Sequence, residues 1–255
     1  METLLSNIDN LVRIAIYQGK IPRYLYKYRR IKETKMILQK GTIYFSTLNQ
    51  FNDPFEGKAI IKDNYSIKDW ESFLQKNSSI PSDLIPSEAK KIKENPESIN
   101  IIADIIQKEL SNIGFYCLTK KPDNHLMWTH YSNEHKGCVV EFDLLKCLPI
   151  FQMISKVNYS MRFISYNYLR DNTGPYRTIT HKSREWEYEE EYRIMSYNKG
   201  IIPLPEDAIS SIIFGCRTIK RNKTIIKNLA KSSIFHNISF KQAQLNPKSY
   251  KIDIV

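Results

Sequence analysis

Three short stretches carry the residue types needed to handle a phosphorylated ribose: Lys27 and Arg29 in Tyr26-Lys27-Tyr28-Arg29, Tyr44 and Ser46 in Thr42–Ser46, and Glu189 and Glu191 just before Tyr192-Arg193-Ile194. An arginine grips phosphate through two parallel N–H bonds, an aromatic face stacks on a base, and a hydroxyl suits a ribose. A carboxylate stabilises an oxocarbenium-like transition state. Together these groups suit cleavage of the N-glycosidic bond of a dinucleotide. Read with a period of two, the stretches place Lys27 with Arg29, Tyr44 with Ser46, and Glu189 with Glu191 and Arg193 on faces turned away from the core. Ile43, Phe45, Tyr192 and Ile194 then point inward.

His125-Leu126-Met127-Trp128-Thr129-His130-Tyr131 reads as a short helix capped by Asp123 or Asn124 and ended by Gly137. It leaves two readings open for His130: a core histidine beneath Trp128, or, with Tyr131, a cleft residue serving as acid, base or stacking partner. His125, His130 and His135 recur every five residues and share no helix face, so no metal triad is expected. A second chemistry competes, in which Glu141 and Asp143 join Asp53 or Glu56 around a magnesium ion to cut phosphodiesters. In Asn52-Asp53-Pro54-Phe55-Glu56, however, Asp53 also suits an N-cap, Pro54 the first helical position and Glu56 the reciprocal capping position. A third possibility is non-catalytic: Lys220, Lys223, Lys227 and Lys231 form one stripe of a predicted helix, a surface suited to nucleic-acid phosphates or an anionic partner.

The elements that must position these residues follow from local patterns. Leu4, Leu5, Ile8, Leu11, Val12, Ile14 and Ala15 recur at helical spacing, which predicts a flanking helix within residues 1–20. Strands are expected at 24–29, 42–46, 114–119, 136–143, 191–196 and 209–214, and a closing hairpin about Asn246-Pro247. A helix over 31–39 ends at Gly41, and another spans 219–231 with Ile225, Ile226 and Leu229 turned inward. The polar 63–112 stretch reads as a helical insertion and a candidate lid, within one domain covering 1–255. Strands and helices do not alternate regularly, so the expected class is α+β, with mixed or antiparallel sheets and flanking helices rather than a doubly wound parallel sheet.

The chain of 255 residues carries a formal charge of +11, which favours association with RNA, DNA or a nucleotide. No apolar run reaches the roughly 20 residues of a membrane span, and the N-terminus lacks signal-peptide character, so a cytosolic protein without a membrane partner is expected. Cys117, Cys138, Cys147 and Cys216 show no metal-binding spacing and read as reduced thiols.

YKYR at 26–29, YFSTLNQFNDPFE at 44–56, MWTHY at 127–131, the W-x-Y-E-x-E-Y-R of 186–193 and IIFGCR at 212–217 resemble the bacterial domain of unknown function 2971 family, over most of the chain from residue 24 onward. That resemblance implies no activity. A looser one does: a basic residue on a first strand, an aromatic-Ser step on the next and a late E-x-E are similar to the Arg-Ser-Glu layout of ADP-ribosyltransferases. It implies a split-sheet core, NAD consumed as substrate by transfer or hydrolysis, and a role in bacterial defence or as a toxin. Arg29, or Lys27 in its place, would anchor NAD; Ser46 would be the central serine, and Glu191 the catalytic acid with Glu189 upstream, or Glu189 itself. The Ser-Thr-Ser run of that family is absent.

Overall fold

A computed structural model describes residues 2–148, 150, 151, 153–235 and 237–255, with side chains from residue 9 onward. In chain order the elements are α1 (Glu2–Tyr17), β1 (Tyr24–Arg29), α2 (Ile31–Lys40), β2 (Thr42–Phe45), β3 (Ile60–Ile61), α3 (Ile67–Asn77), α4 (Ile85–Glu94), α5 (Ser98–Ser111), β4 (Gly114–Thr119), α6 (His125–Tyr131), β5 (Cys138–Asp143) and α7 (Leu144–Cys147). Then follow β6 (Met153–Lys156), β7 (Asn158–Ser160), β8 (Ser165–Tyr166), α8 (Gly174–Ile179), β9 (His181–Ser183), β10 (Glu191–Ser196), β11 (Gly200–Pro203), β12 (Ile209–Phe214), α9 (Lys220–Ser232), β13 (Ser239–Leu245) and β14 (Ile252–Ile254). The fold is α+β. It divides into two compact units: Met1–Thr47 with Gly114–Val157 and Glu185–Val255, and Leu48–Ile113 with Asn158–Arg184.

The first unit is built on a mixed eight-stranded sheet in the order β14-β13-β12-β5-β1-β4-β10-β6, with a separate β2/β11 ribbon. Only β12 and β13 are parallel neighbours, and α9 makes the crossover between them. Leu25, Leu118, Val140, Phe142, Ile194 and Ile212 point to one face and share a core with α1, α2 and α9, through Val12, Ile16, Ile37, Leu38, Ile226 and Ala230. The other face carries a smaller core of Tyr28, Val139 and Ile213 beneath Met127 and Trp128 of α6. Trp128 is fully buried, meets Tyr28 edge-on at 5.3 Å and donates its indole N–H to the Pro122 carbonyl at 2.9 Å. Its buried donor is thereby satisfied.

The α1 helix does not present the whole predicted apolar stripe inward. Val12 and Ile16 are buried, but Leu11 and Ile14 are exposed, and the expectations for Leu4, Leu5 and Ile8 fall outside the described side chains.

The central sheet opens at one place. Strand β1 pairs with β5 along its whole length, from Tyr24 opposite Asp143 to Arg29 opposite Cys138, but meets β4 only where Tyr26 faces Thr119. Farther along β4 the neighbour is Ser46, just past β2. The Ser46 N–H donates to Phe115 O at 2.9 Å and the Phe115 N–H to Ser46 O at 2.7 Å. Ser46 is therefore not the last residue of a predicted 42–46 strand; it leaves the β2/β11 ribbon and pairs with β4 beyond β1.

In the second unit, helices α3, α4, α5 and α8 accompany the short parallel pairs β3/β8 and β7/β9. The predicted 63–112 insertion lies within it. Ser66 and Asp69 cap α3 reciprocally, and Arg170 grips the Asp69 carboxylate at 2.7 and 2.9 Å, which together with its Ser66 bonds holds that carboxyl well below the usual range. Asn52–Glu56 does not begin a helix. Asp53 accepts the Phe55 N–H at 2.9 Å, Gly57 takes a φ of 70°, and the chain turns away before a helical turn can propagate. Glu56 instead forms a buried ion pair with Lys182 at 3.3 Å. Among the described residues no helix is long and apolar enough to cross a membrane.

Candidate active site at the opening in the sheet

On β1, Lys27 and Arg29 share a face, as the alternation predicts, but that face is not open: it lies over the buried ring of Tyr116, with cations 5.1 and 5.7 Å from its centroid. A central strand covered on both sides encloses a face that alternation alone reads as outward. The Lys27 ammonium donates to the Cys117 carbonyl at 2.5 Å, where β1 has no residue in register with β4. Among the described residues neither cation is ion-paired with a carboxylate. Burial, then the neighbouring Arg29 charge, bring Lys27 down to about 8, against the pull of Glu191 and Glu189. Two partly buried like charges that are not ion-paired form a site that gains by taking up an anion.

One acid, Glu191, stands on β10, the second strand from β1 across β4, and its register puts it on the face of Tyr26 rather than that of Lys27 and Arg29. Glu191 and Arg193 share one face of β10 and, contrary to the expected open face, are 4% and 0% exposed. Their guanidinium and carboxylate meet at 2.8 Å (Nε to Oε1) and 3.3 Å (Nη2 to Oε2), which fixes the carboxylate's orientation. Glu191 lies opposite Thr119, Thr119 opposite Tyr26, and Tyr26 opposite Glu141, so one polar row crosses four strands. Burial, then Glu191, push the Cys117 thiol up to about 12, so it stays protonated and is a poor nucleophile at neutral pH.

Glu189 is not on the strand. It ends a 3-10 turn over Arg184–Glu189, and Glu190 adopts a φ of 43°, which resets the alternation before β10 begins. Its carboxylate accepts the Tyr131 hydroxyl at 2.6 Å. Around it the rings of Tyr131, His130, Tyr188 and Trp186 follow one another at centroid spacings of 6.3, 6.4 and 6.1 Å. His130 is exposed, so the core-histidine reading fails. His135 stacks on Trp128 instead, at 6.2 Å and 10°. The helix ends at Tyr131 rather than at Gly137, because Asn133, Glu134 and His135 all turn left-handed.

The structure thus gathers Lys27, Arg29, Glu189, Glu191, His130 and Tyr131 into the first unit, and adds Tyr26, Cys117, Thr119, Tyr188 and Arg193. Of these additions only Arg193 stood in a motif with a visible polar role. Ser46 lends its hydroxyl to the Phe115 carbonyl at 3.3 Å, and Tyr44 lies on the outer side of the β2/β11 ribbon opposite Ile201.

The carboxylates of the phosphodiesterase reading are engaged elsewhere. Glu141 accepts from Ser210 at 2.6 Å and Lys241 at 3.0 Å; burial works against its ionisation, yet these bonds leave it net below its ordinary value. Asp143 pairs with Arg23 at 2.8 Å and caps α7, while Asp53 and Glu56 belong to the second unit. Among the described residues no three His, Cys, Asp or Glu side chains form a group able to hold a metal. All four cysteines are free thiols.

No family model, curated protein or solved structure matches this chain.

The depressed Lys27 has a measurable consequence. Its ammonium loses a proton near pH 8 in the folded protein, against an ordinary value of 10.5. Between those values the unfolded chain binds more protons, so this residue's contribution to stability rises as pH increases through 8 towards 10, and its penalty is complete below 8. Urea unfolding at pH 7 and pH 9.5 should show wild type gaining on Lys27→Met over that interval. A constant difference would mean that Lys27 titrates as an ordinary lysine.

Proposed function

We propose that this protein cleaves the N-glycosidic bond of NAD, passing ADP-ribose to an acceptor hydroxyl or to water. The observation that carries this reading is the pair of partly buried cations, Lys27 and Arg29, neither ion-paired with a carboxylate, with Lys27 under the electrostatic influence of Glu191 and Glu189. A pyrophosphate supplies the missing counter-charge, and the rings of His130, Tyr131, Tyr188 and Trp186 offer stacking faces for a base. Glu191, oriented by Arg193, opposes the positive charge that develops on the ribose. In the reaction the C1′–N bond breaks and its electron pair leaves with nicotinamide, which departs neutral because its ring nitrogen had carried the positive charge. The attacking oxygen bonds to C1′ and gives its proton to Glu189, which Tyr131 holds in place. The similarity to the Arg-Ser-Glu layout of ADP-ribosyltransferases supports the same assignment, with Ser46 shaping the opening from its pairing with Phe115 rather than lining it as a free hydroxyl. A cytosolic setting and a defence or toxin-like role suit a reaction that consumes NAD.

The test is nicotinamide release by purified protein, with and without added protein and nucleic-acid acceptors. Glu191→Gln should lower turnover by about a hundredfold or more, as loss of a preorganised electrostatic partner does. Arg29→Ala should chiefly raise KM. Absence of release from wild type with every acceptor, or unchanged rates in both variants, would refute the proposal.

A further inference from the structure

The α9 helix carries Lys220, Arg221, Lys223, Lys227 and Lys231 in 13 residues and no acid. It packs beside α2, which carries Lys32, Lys35 and Lys40 against a single acid, Glu33. Both helices turn a buried side to the core, Thr34, Ile37 and Leu38 from α2 and Ile226 and Ala230 from α9, and they end close together, with Gly41 after α2 lying against Ile234 just beyond α9. Lys32, Lys40, Lys220, Arg221, Lys227 and Lys231 are all exposed, and among the described residues none of them is ion-paired.

This placement is unfavourable to the helix itself. Lys220 and Arg221 occupy the first turn, where the backbone already presents partial positive charge and an acid would be stabilising. Lys223, Lys227 and Lys231 follow at i,i+4 spacing, where like charges repel. Two members of that row are also positioned by the sheet: Lys223 donates to Gln242 Oε1 at 2.5 Å, and Lys227 lies 5.4 Å over the ring of Phe240, which is stacked on Phe214. An outer surface that gathers cations against local helix preference, and orders some of them, is suited to a polyanion. Successive members of the row rise about 6 Å along the axis, close to the roughly 7 Å that two nucleotides rise along a strand.

We infer that the adjoining outer faces of α2 and α9 bind the phosphate backbone of a nucleic acid. Contact is through charge and without base readout, so binding is independent of sequence and steeply weakened by salt. It does not require the NAD reaction: Glu191→Gln should bind nucleic acid as wild type does.

The experiment measures fluorescence anisotropy of labelled random 20-nucleotide single strands and 20-base-pair duplexes across a salt series. The triple variant Lys220→Glu, Lys227→Glu, Lys231→Glu should bind at least tenfold more weakly, with a log–log salt slope shallower by about 3 on duplex. The corresponding glutamine triple should fall between it and wild type, which guards against a folding defect in the glutamate variant. A control triple of exposed lysines elsewhere, Lys93→Glu, Lys108→Glu, Lys248→Glu, should keep the wild-type slope. The inference is overturned by no binding to either probe at 50 mM salt or by equal weakening in the control. Binding to phosphatidylserine vesicles without binding to nucleic acid would also overturn it.

Discussion

Replacing Arg193 with methionine should destabilise the protein by about 3–5 kcal/mol, the cost of removing one partner of a buried ion pair. Arg193 is fully buried and Glu191 is 4% exposed, so the carboxylate left behind has no access to bulk water. Methionine fills much of the volume, so the loss falls on the charge and its hydrogen bonds, those at 2.8 and 3.3 Å to Glu191 among them. The double variant Glu191→Gln, Arg193→Met should recover more than half of that loss, because an amide is far less costly to bury than a carboxylate that has lost its guanidinium. Urea unfolding at pH 7 distinguishes the cases. A cost near 1 kcal/mol for Arg193→Met alone would show that Glu191 is stabilised by another group and that its orientation does not depend on Arg193.

Gly137→Ala should cost about 3 kcal/mol, towards the upper end of overpacking effects, and should lower the melting temperature by about 6–12 °C for a chain of this size. A Cβ at residue 137 would stand 2.2 Å from the Arg29 carbonyl oxygen and 2.8 Å from that of Ser132. Neither oxygen can easily withdraw. Arg29 is the last residue of β1 and is paired with Cys138, while the Gly137 N–H donates to Ser132 O at 2.7 Å. On its other side the Gly137 carbonyl accepts from the Gly215 N–H at 3.0 Å and the Thr218 hydroxyl at 2.7 Å. Any relaxation therefore moves the end of β1 that carries Arg29, so under the proposed function ADP binding to Gly137→Ala, measured calorimetrically, should weaken along with stability. A variant as stable as wild type would show that this strand end shifts freely.

Much of the local structure was legible in the residues. Asn124 caps α6, Gly41 ends α2 with a φ of 63°, and the chain turns at Asn246-Pro247 between antiparallel β13 and β14, each through the chemistry of a single turn. The α9 helix, its basic stripe and the inward placement of Ile226 follow from a 3.6-residue period in the same way. The pairing of Lys27 with Arg29, and of Glu191 with Arg193, each on one strand face, follows from a period of two.

What those faces meet was decided by the tertiary structure. Alternation separates two sides of a strand but does not say what covers them; β1 and β10 became inner strands of an eight-stranded sheet, so side chains read as outward-facing were enclosed. One residue with positive φ, Glu190, moved Glu189 off the strand, and three more after α6 carried His135 rather than His130 onto Trp128. The 48–113 and 158–184 segments joined into a second unit through pairings such as Ile60 with Ser165, which no local window contains. The sequence by itself determined the helices, the turns and which polar residues share a strand face. Only long-range strand pairing decided that Lys27 and Arg29 would lie over Tyr116 without an ion pair, and that Glu191 and Arg193 would be buried.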